Sequence, residues 1–500
     1  MKSVQHDTRP FLKRPIFLVL LPLFALWHSV NGLFGFIELR DALFFLLYAA
    51  VWVAVIWLVC RLLFRKSAVA ASVALFVALV FLLFGSFYDG ARELSVRLVS
   101  YKIFPAMLFA CAIASGLWIG RKQVAGARTF LYINSLLLVL LTVELIQSAV
   151  NFKAYSEHSG LLQPRMPLSD SLRPRLSKAL PDVYLIVLDE YARADVLQSM
   201  GYNNAPFLDS LRKLGFFVAD SSIANYDFTP YAMSSCLNMA YIDPPTDTIG
   251  DDPYLMLRAV RSLSDNETMR SLQTAGYDLF MTASLKSRWQ ERKTLNEFGG
   301  YSYAKLFQPT LPFRLHRDIN APGDPLLKVI PRPFQYDDFG QRARDIASHL
   351  HDTKARIDNQ QRRAPRFTYC HLLTTHTPYL FDSSGRLKSG KDISFDHDAT
   401  QYCAQVPVAN HQVLDLVNGI RNGGRSNSVV FIISDHGYRG ESIPVADAFK
   451  NLTAIYLPDA DYPAFSQGKS PVNLFRCFCN KYLGQQYPML PDRTVKVRYK

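Results

Sequence analysis

The stretch PDVYLIVLDEYARADVLQSMGY, residues 181–202, decides the fold of the second part of the chain. Its apolar run from Val183 to Leu188 is typical of a buried strand, and it ends in two acids, Asp189 and Glu190. The pattern then alternates, with helix-type runs at 206–216 and 412–420 and strand-type runs at 277–284, 367–373, 428–434 and 452–458. Such alternation predicts an α/β domain with a mainly parallel central sheet.

The first part of the chain has a different pattern. It contains five apolar segments, at roughly 15–31, 42–60, 67–87, 103–120 and 129–150. Each is about 17–22 residues long, enough at ~1.5 Å per residue to cross a hydrocarbon core of ~30 Å. The sequence therefore predicts a transmembrane domain of five helices at residues 1–150, a polar linker at 151–180 and a catalytic domain at 181–500.

The basic charge of the chain is concentrated in its apolar part. The formal net charge is +13, and residues 1–150 hold 14 Lys and Arg against 6 Asp and Glu, whereas the remainder holds 41 against 36. This distribution favours a membrane surface over nucleic acid as the cause of the charge. Ten of the basic residues flank the segments on one side and four on the other. The positive-inside rule then predicts a cytoplasmic N-terminus and an extracytoplasmic domain after residue 151.

Three polar residues, His28, Asn134 and Glu144, fall in or near the apolar segments. We interpret them as groups at an interface or between helices rather than as an ion path. Residues 300–345 are rich in Pro and Phe, and we interpret them as an insertion over one edge of the sheet.

Seven cysteines divide between the two parts of the chain. Five of them follow residue 181, where disulfides are allowed if that part lies outside the cytosol. An odd number leaves at least one free thiol in a monomer. Cys477 and Cys479 are too close for an easy mutual disulfide, and we interpret them as part of a buried helix face.

Two predicted strands end in residues that can bind a metal. The first ends in Asp189 and Glu190, and the strand at 428–434 ends in the block SDHG, which contains Asp435 and His436. Ligands bind beyond the carboxyl ends of strands in an open α/β sheet, so these side chains can meet at one edge. Carboxylates and imidazole together suit Zn²⁺ or Mn²⁺. The alternative is that each is a helix cap or a salt-bridge partner.

A candidate nucleophile lies in NYDFTPYAMSSCLNM, residues 225–239. Thr229 precedes Pro230 and an apolar pattern typical of a helix. Thr is a good N-cap and Pro is favoured at the first helical position, so Thr229 could simply start the helix. The same position suits a nucleophile, because a helix N-terminus favours an anionic phosphate or sulfate and a metal can lower the pKa of the hydroxyl.

A third cluster is CHLLTTHTPY, residues 370–379. His371 lies near the end of the predicted strand at 367–373, and His376 follows that strand. Either could protonate a leaving group or hold an anionic substrate, although a loop histidine is often structural.

Four blocks resemble the membrane-bound sulfatase-like branch of the alkaline phosphatase superfamily, which includes lipoteichoic acid synthases and phosphoethanolamine transferases. The blocks are LDEYARADVLQSMGYNNAPFLDSL (188–211), TPYAMSSCLNM (229–239), HLLTTHTPYLFDSSG (371–385) and SDHG (434–437). The resemblance also covers the layout of five spans followed by an external domain, so it implies an alkaline-phosphatase/sulfatase-like catalytic domain.

The resemblance implies one divalent metal held by Glu190, Thr229, Asp435 and His436. It makes Thr229 the nucleophile and places His371 and His376 near the substrate. Asp189 stands where the transferases have Gly and where true sulfatases have a metal-binding Asp, so both a metal-binding role and a packing role stay open.

The sequence departs from true sulfatases at the nucleophile. Those enzymes carry a Cys or Ser in C/S-x-P-x-R, and no such motif occurs near residues 220–240. Cys236 is followed by Leu-Asn-Met-Ala, which does not fit. Sulfate ester hydrolysis through formylglycine is therefore not expected.

The expected function is that of a metal-dependent phosphotransferase of the inner (plasma) membrane. It would move phosphoethanolamine or phosphoglycerol from a membrane phospholipid donor through Thr229 to an envelope glycan or lipid acceptor, with Zn or Mn favoured over Ca. One alternative is a hydrolase of phosphate or sulfate esters with water as acceptor. A relict, non-enzymatic domain is a second alternative. A transporter is disfavoured because the spans carry few ionisable residues and no broken-helix pair recurs in two halves.

Overall fold

Two compact units form the protein in the computed structural model. The first comprises residues 1–157 and 298–336, and the second comprises residues 158–297 and 337–500. The structure describes residues 12, 14–32, 34–35, 37, 39–94, 103–121, 123–158, 180–242, 248–250, 252–263, 265–283, 306–319, 339–359, 361, 364–389, 392–393, 397–423, 427–440, 443–466 and 470–498.

The described helices and strands follow in chain order. The helices are α1 (Phe17–Asn31), α2 (Leu39–Leu63), α3 (Ser67–Leu94), α4 (Phe104–Arg121), α5 (Gln123–His158), α6 (Ala194–Ser199), α7 (Ala205–Lys213), α8 (Thr229–Asn238), α9 (Pro253–Ser262), α10 (Glu267–Thr274), α11 (Leu311–Ile319), α12 (Phe339–Asp358), α13 (Ala399–Asn422), α14 (Pro463–Ser466) and α15 (Leu474–Leu483). The strands are β1 (Asp182–Leu188), β2 (Phe217–Val218), β3 (Thr248–Ile249), β4 (Asp278–Thr282), β5 (Arg366–Leu372), β6 (Ser428–Ser434), β7 (Thr453–Tyr456) and β8 (Lys496–Val497). Short 3₁₀ turns lie at Val445–Phe449 and Pro471–Asn473.

The first unit contains the five predicted apolar segments, each as a helix. Among the described residues, three helices are long and apolar enough to cross a membrane: Leu39–Leu63, Ser67–Arg92 and Arg128–Ala154. Two shorter apolar helices, Phe17–Asn31 and Phe104–Ile119, accompany them. The apolar window of α3 is 67% buried, against 28% for α2 and 17% for α5, so α3 is the most enclosed of the three.

The polar residues of this unit pair with each other across helices. Nδ1 of His28 on α1 lies 2.8 Å from Oε1 of Glu144 on α5, and Asn31 donates to Oε2 of the same carboxylate at 2.6 Å. Asn134 donates to the carbonyls of Leu12 and Arg14, at 2.7 and 2.8 Å. His28 and Glu144 thus lie between helices, as interpreted, whereas Asn134 contacts the backbone that precedes α1.

Residues 306–315 also pack in the first unit. Phe307 is buried, and its ring centroid lies 4.9 Å from that of Tyr48 and 5.1 Å from that of Phe45 on α2. The backbone N–H of Gly85 on α3 donates to the carbonyl of Pro309 at 2.7 Å. The interpretation of residues 300–345 as an insertion over one edge of the sheet is therefore wrong for this segment, and residues 300–305 and 320–338 lie outside the described ones.

The second unit is built on a sheet of six strands in the order β2-β7-β6-β1-β5-β4. The strands β6, β1, β5 and β4 are parallel, and β7 runs antiparallel to both β6 and β2. A second sheet pairs β3 with β8. The predicted α/β domain with a mainly parallel central sheet is confirmed.

The central strand β1 sets the geometry of the unit. All seven of its residues are buried, as are those of its neighbours β5 and β6. Coverage of both faces explains why β1 and β6 are almost wholly apolar, whereas β5 also carries the buried polar residues Arg366, Thr368 and His371. Leu188, the last residue of β1, lies level with Leu372 of β5 and Ser434 of β6. Because the three strands end at the same level, the residues that follow them meet at one edge of the sheet.

All seven cysteines are free thiols, and no disulfide joins them. Cys477 and Cys479 are both buried on α15, so the prediction of a buried helix face is confirmed.

Candidate active site and metal centre

The ends of β1 and β6 bring three potential metal ligands together. Asp189, Asp435 and His436 are all buried, and one ligand atom from each lies within 4.8 Å of the others. The carboxylate of Asp435 is oriented through Oδ1, which accepts the backbone N–H groups of Glu190 at 3.0 Å and of His436 at 2.8 Å. Its Oδ2 therefore faces the cluster.

The hydroxyl of Thr229 lies against the same three side chains. Its Oγ1 donates to Oδ2 of Asp435 at 2.5 Å, and it lies 3.5 Å from Oδ2 of Asp189 and 3.3 Å from Nε2 of His436. Thr229 is half-buried, whereas the other three residues of this group are buried. A hydroxyl among two carboxylates and an imidazole is an arrangement that can be activated as a nucleophile.

The donor set fits a divalent cation. Oδ1 of Asp189 is buried and has no hydrogen-bond partner among the described residues. His436 presents Nδ1 to the carbonyl of Gly437 at 2.8 Å, which keeps the proton on Nδ1 and leaves the lone pair of Nε2 facing the cluster. Two carboxylates, a neutral imidazole and a hydroxyl are ligands that suit Zn²⁺ or Mn²⁺.

Thr229 is the first residue of α8, and Phe228 occupies the N-cap position without a side-chain cap. Thr229 therefore starts the helix, as one of the two interpretations predicted, although it lies one residue after the N-cap position. Its hydroxyl donates to Asp435. The helix end also offers few donors. The N–H groups of Tyr231 and Ala232 both donate to the carbonyl of Phe228, and Pro230 has no N–H.

Glu190 is the one predicted ligand that the structure does not bring into the metal-binding group. Its backbone is left-handed, with φ of 60°, and its side chain is fully buried. Oε1 accepts the backbone N–H of Arg439 at 2.9 Å and lies 3.4 Å from both Nε of Arg439 and Nδ1 of His397. Within the described part of the chain Oε2 has no hydrogen-bond partner, so a second contact remains open to this carboxylate.

The two predicted histidines take different positions. His371 is buried at the end of β5, where Nε2 lies 3.4 Å from Oδ2 of Asp189 and Nδ1 lies 3.0 Å from the hydroxyl of Tyr369. His376 lies on the Glu190 side, with Nε2 at 3.4 Å from Nη2 of Arg439 and Nδ1 at 2.6 Å from the carbonyl of Thr377. His371 therefore contacts the metal-binding group directly, whereas His376 contacts the arginine beside it.

The acids of the site stay ionised despite their burial. Burial alone would raise the pKa of Asp189, but His376, His371 and His436 outweigh it and hold that pKa well below its ordinary value. At Glu190 burial again raises the pKa, whereas Arg439 and His397 lower it. The net effect lowers the pKa of Glu190 to about 2. Both groups are therefore carboxylates at neutral pH.

Sequence reasoning missed Arg439 and His397. Arg439 follows the SDHG block by two residues, and that proximity is the one signal that could have pointed to it. Nothing in the sequence pairs His397 with Glu190. Cys236 is fully buried within α8 and contributes nothing to the cluster, in keeping with the absence of a sulfatase-type Cys motif.

Three solved structures illustrate what the chain is similar to. The C-terminal periplasmic domain of EptC from Escherichia coli is 17% identical, with a TM-score of 0.41, over 66% of this chain and 93% of that one. The lipooligosaccharide phosphoethanolamine transferase A (EptA) from Neisseria meningitidis is 15% identical, with a TM-score of 0.37, over 75% and 69%. The phosphonate monoester hydrolase of Agrobacterium radiobacter is 14% identical, with a TM-score of 0.35, over 61% and 74%.

No curated protein matches the chain in sequence. A sequence model of the sulfatase family, described as Sulfatase, does match it over residues 181–478, more than half of its length. That range contains β1, α8, β5 and β6 and therefore every residue that the strand ends bring together. The chain is thus an enzyme of the sulfatase family.

Proposed function

We propose that this enzyme transfers a phospho-head group, phosphoethanolamine or phosphoglycerol, from a membrane phospholipid to a glycan or lipid acceptor of the cell envelope, with Thr229 as the nucleophile. The observation that carries the proposal is the 2.5 Å hydrogen bond from Thr229 Oγ1 to Oδ2 of Asp435, within a group of potential metal ligands. A threonine in a merely structural role at a helix start would direct this hydroxyl to the helix backbone.

Asp189, Asp435, His436 and Thr229 would hold one divalent cation, with Zn or Mn favoured by the mixed oxygen and nitrogen donors. A bound cation would lower the pKa of the Thr229 hydroxyl and neutralise charge that develops on the transferred group. Glu190, the ligand implied by the resemblance, is engaged by Arg439 and His397, so we assign it outside this set.

The reaction would proceed in two displacements. In the first, Thr229 Oγ1 forms a bond to phosphorus, the bond from phosphorus to the lipid alcohol breaks, and the hydroxyl proton passes to Oδ2 of Asp435, the atom that it already contacts. His371 or His376 would supply a proton to the departing alcohol. In the second, the acceptor hydroxyl attacks the same phosphorus and passes its proton to the histidine that supplied one in the first step. The bond from phosphorus to Thr229 Oγ1 breaks, and that oxygen takes back the proton held by Oδ2 of Asp435.

The N-terminal helices give the enzyme its membrane location. Three are long enough to span a bilayer and two shorter ones are apolar. We propose that all five cross the inner membrane, with the N-terminus in the cytoplasm and the sulfatase-family domain outside. This arrangement would keep the catalytic domain at the surface that holds its lipid donor.

The test is the mass of the full-length protein after incubation with Zn²⁺ and phosphatidylethanolamine or phosphatidylglycerol in lipid nanodiscs. We expect an adduct on the peptide that contains Thr229, with a mass that identifies phosphoethanolamine or phosphoglycerol. Thr229→Ala should form none. Ser235→Ala is the matched control, because Ser235 lies on the same helix and its buried hydroxyl has no hydrogen-bond partner.

Full turnover by Thr229→Ala would overturn the proposed mechanism. A hydrolase is the second candidate, favoured by the half-buried position of Thr229, which is partly exposed to solvent that could act as the acceptor. Release of product from a soluble phosphate or sulfate ester, without an adduct from any lipid, would establish it. If the metal-loaded protein gave neither product nor adduct, that result would indicate a domain without catalytic activity.

A further inference from the structure

We propose that Arg439 binds the anionic oxygens of the phosphoryl or sulfuryl group that reacts at Thr229, and that Glu190 positions Arg439 for this contact. The inference rests on the proposed function for the identity of the reacting oxygen. It adds a binding residue that lies outside the metal-binding group and outside the four blocks on which the family resemblance was based.

The contacts of Arg439 place its guanidinium beside the residue that precedes the nucleophile. Its Cζ lies 5.9 Å from the ring centroid of Phe228, the residue that immediately precedes Thr229. Its backbone N–H and its Nε both contact Oε1 of Glu190, at 2.9 and 3.4 Å. The first contact fixes the backbone of Arg439 and the second holds the Nε edge of its side chain, which is only 12% exposed.

The start of α8 creates the need for such a residue. An anion at a helix N-terminus is usually held by free backbone N–H groups. Here Pro230 has none, and those of Tyr231 and Ala232 donate to the carbonyl of Phe228, so this helix start offers at most the N–H of Thr229. The planar fork of a guanidinium can instead donate two parallel hydrogen bonds to two oxygens of a phosphate or sulfate.

The charge of the site leads to the same conclusion. Three buried carboxylates, Asp189, Glu190 and Asp435, gather at the strand ends, and Asp189 lies only 3.5 Å from Thr229 Oγ1. A divalent cation on the metal-binding group would balance two of these charges, and the guanidinium of Arg439 balances the third. Without Arg439 an anionic substrate would approach a site of net negative charge.

Glu190 is held in place at a cost in backbone conformation. Its φ of 60° is one that residues other than glycine rarely adopt. The hydroxyl of Tyr402 stabilises the turn, since it accepts the N–H of Ala192 at 2.8 Å and donates to the carbonyl of Glu190 at 2.9 Å. Backbone strain that neighbouring contacts stabilise is common at functional sites, where a side chain has to be held in one orientation.

The test uses the full-length, metal-loaded protein with inorganic phosphate and orthovanadate as probes, and it measures both probe affinity and bound metal. We expect Arg439→Ala to weaken both probes by about tenfold to a hundredfold, as for a charge-assisted bidentate contact, with bound metal unchanged. Arg439→Lys should recover part of the affinity, because it keeps the charge without the fork. Added guanidinium ion should partly rescue Arg439→Ala. Arg386→Ala is the matched control, since Arg386 is 83% exposed and pairs with Asp382.

Glu190 is tested as a positioning residue through kinetics. Glu190→Gln keeps an oxygen that can accept from the backbone of Arg439, so it should raise KM for an anionic substrate less than Glu190→Ala does. Unchanged probe affinity in Arg439→Ala would overturn the proposal, and so would a loss of affinity that follows a loss of metal. Weakened probe binding in Arg439→Ala together with full turnover by Thr229→Ala would leave the anion site standing and reject the Thr229 mechanism alone.

Discussion

Thr229 Oγ1 donates a hydrogen bond of 2.5 Å to Oδ2 of Asp435, across 206 residues of sequence. The other oxygen of that carboxylate accepts two backbone N–H groups, those of Glu190 and His436. The carboxylate is therefore oriented by main chain from two different strand ends, and only Oδ2 remains for the threonine. The sheet itself thus aims Asp435 at the nucleophile.

The first prediction concerns the metal-binding group. Asp189→Asn and Asp435→Asn should each lower the amount of Zn²⁺ or Mn²⁺ retained by the purified full-length protein, because each removes a charged ligand. Glu190→Gln should retain the metal, since its carboxylate contacts Arg439 and His397 instead. Elemental analysis by mass spectrometry measures the ratio of metal to protein. Loss of metal from Glu190→Gln together with retention in Asp189→Asn would reverse the assignment of the two acids.

The second prediction concerns the glycine of the SDHG block. A Cβ atom at Gly437 would lie 2.5 Å from the carbonyl oxygen of Lys450 and 2.8 Å from that of Asp447. Since both atoms are backbone, Gly437→Ala has to displace the chain next to His436. We expect a loss of about 1–3 kcal/mol of stability and weaker metal retention.

Gly250→Ala is the matched control for that substitution, because a Cβ there meets nothing within 4 Å. The measurements are the midpoint of denaturant unfolding and the metal content. If both glycine variants gave equal values, the tight approach at Gly437 would have no energetic consequence.

The strand ends are the part of the site that could be predicted from sequence. Runs such as VYLIVL and SVVFIIS are apolar because both faces of the strands are covered, and parallel strands present their carboxyl ends together. That rule alone indicated that Asp189, Asp435 and His436 could meet. The register that brings them level, with Leu188 beside Ser434, is set by tertiary pairing and has no signature in a single sequence.

The remaining features depend on conformations that composition does not determine. Glu190 has a left-handed backbone, which is rare for residues other than glycine. No sequence pattern therefore predicted that its side chain faces Arg439. The statistical preference of Thr for helix starts favoured a structural role for Thr229, yet its hydroxyl donates to the carboxylate of Asp435, which lies outside the helix. Residues 306–315 pack against α2 and α3 through contacts more than 200 residues apart, such as that between Asp89 and Arg314, and local pattern cannot predict contacts of that range.

The third prediction concerns the packing of residues 306–310 on α3. A Cβ atom at Gly85 would lie 2.8 Å from the carbonyl oxygen of Gln308 and 3.0 Å from Cα of Pro309. Gly85→Val should therefore push this segment away and break the hydrogen bond from the Gly85 N–H to Pro309. We expect about 1–3 kcal/mol of destabilisation, seen as a lower unfolding midpoint in detergent.

Gly90→Val provides the comparison within the same helix, because a Cβ at Gly90 meets no atom within 4 Å. It introduces the same change in helix propensity without the steric conflict. Equal midpoints for the two variants would mean that the contact between α3 and the 306–310 segment is not required for stability.

The fourth prediction concerns acid stability and His349 on α12. Burial lowers the pKa of this histidine to about 4 from its ordinary 6.5, against a smaller opposing contribution from the backbone of His371. The folded protein therefore keeps His349 neutral at pH values where the unfolded chain takes up a proton. The stability contributed by the neutral form of His349 is fully present above about pH 6.5 and is lost as the pH falls toward about 4. Between about pH 7 and about pH 5 this contribution changes by roughly 2 kcal/mol.

His349→Gln removes the titrating group while it keeps a polar side chain of similar size. The variant will lose some stability at neutral pH, but its unfolding midpoint should fall less than that of the wild type when the pH is lowered from about 7 to about 5. The difference between the two slopes isolates His349 from the other acids and histidines of the protein, since those are common to both. Parallel slopes would show that His349 is protonated equally in the folded and unfolded states, which is incompatible with its burial as a neutral ring at 1% exposure.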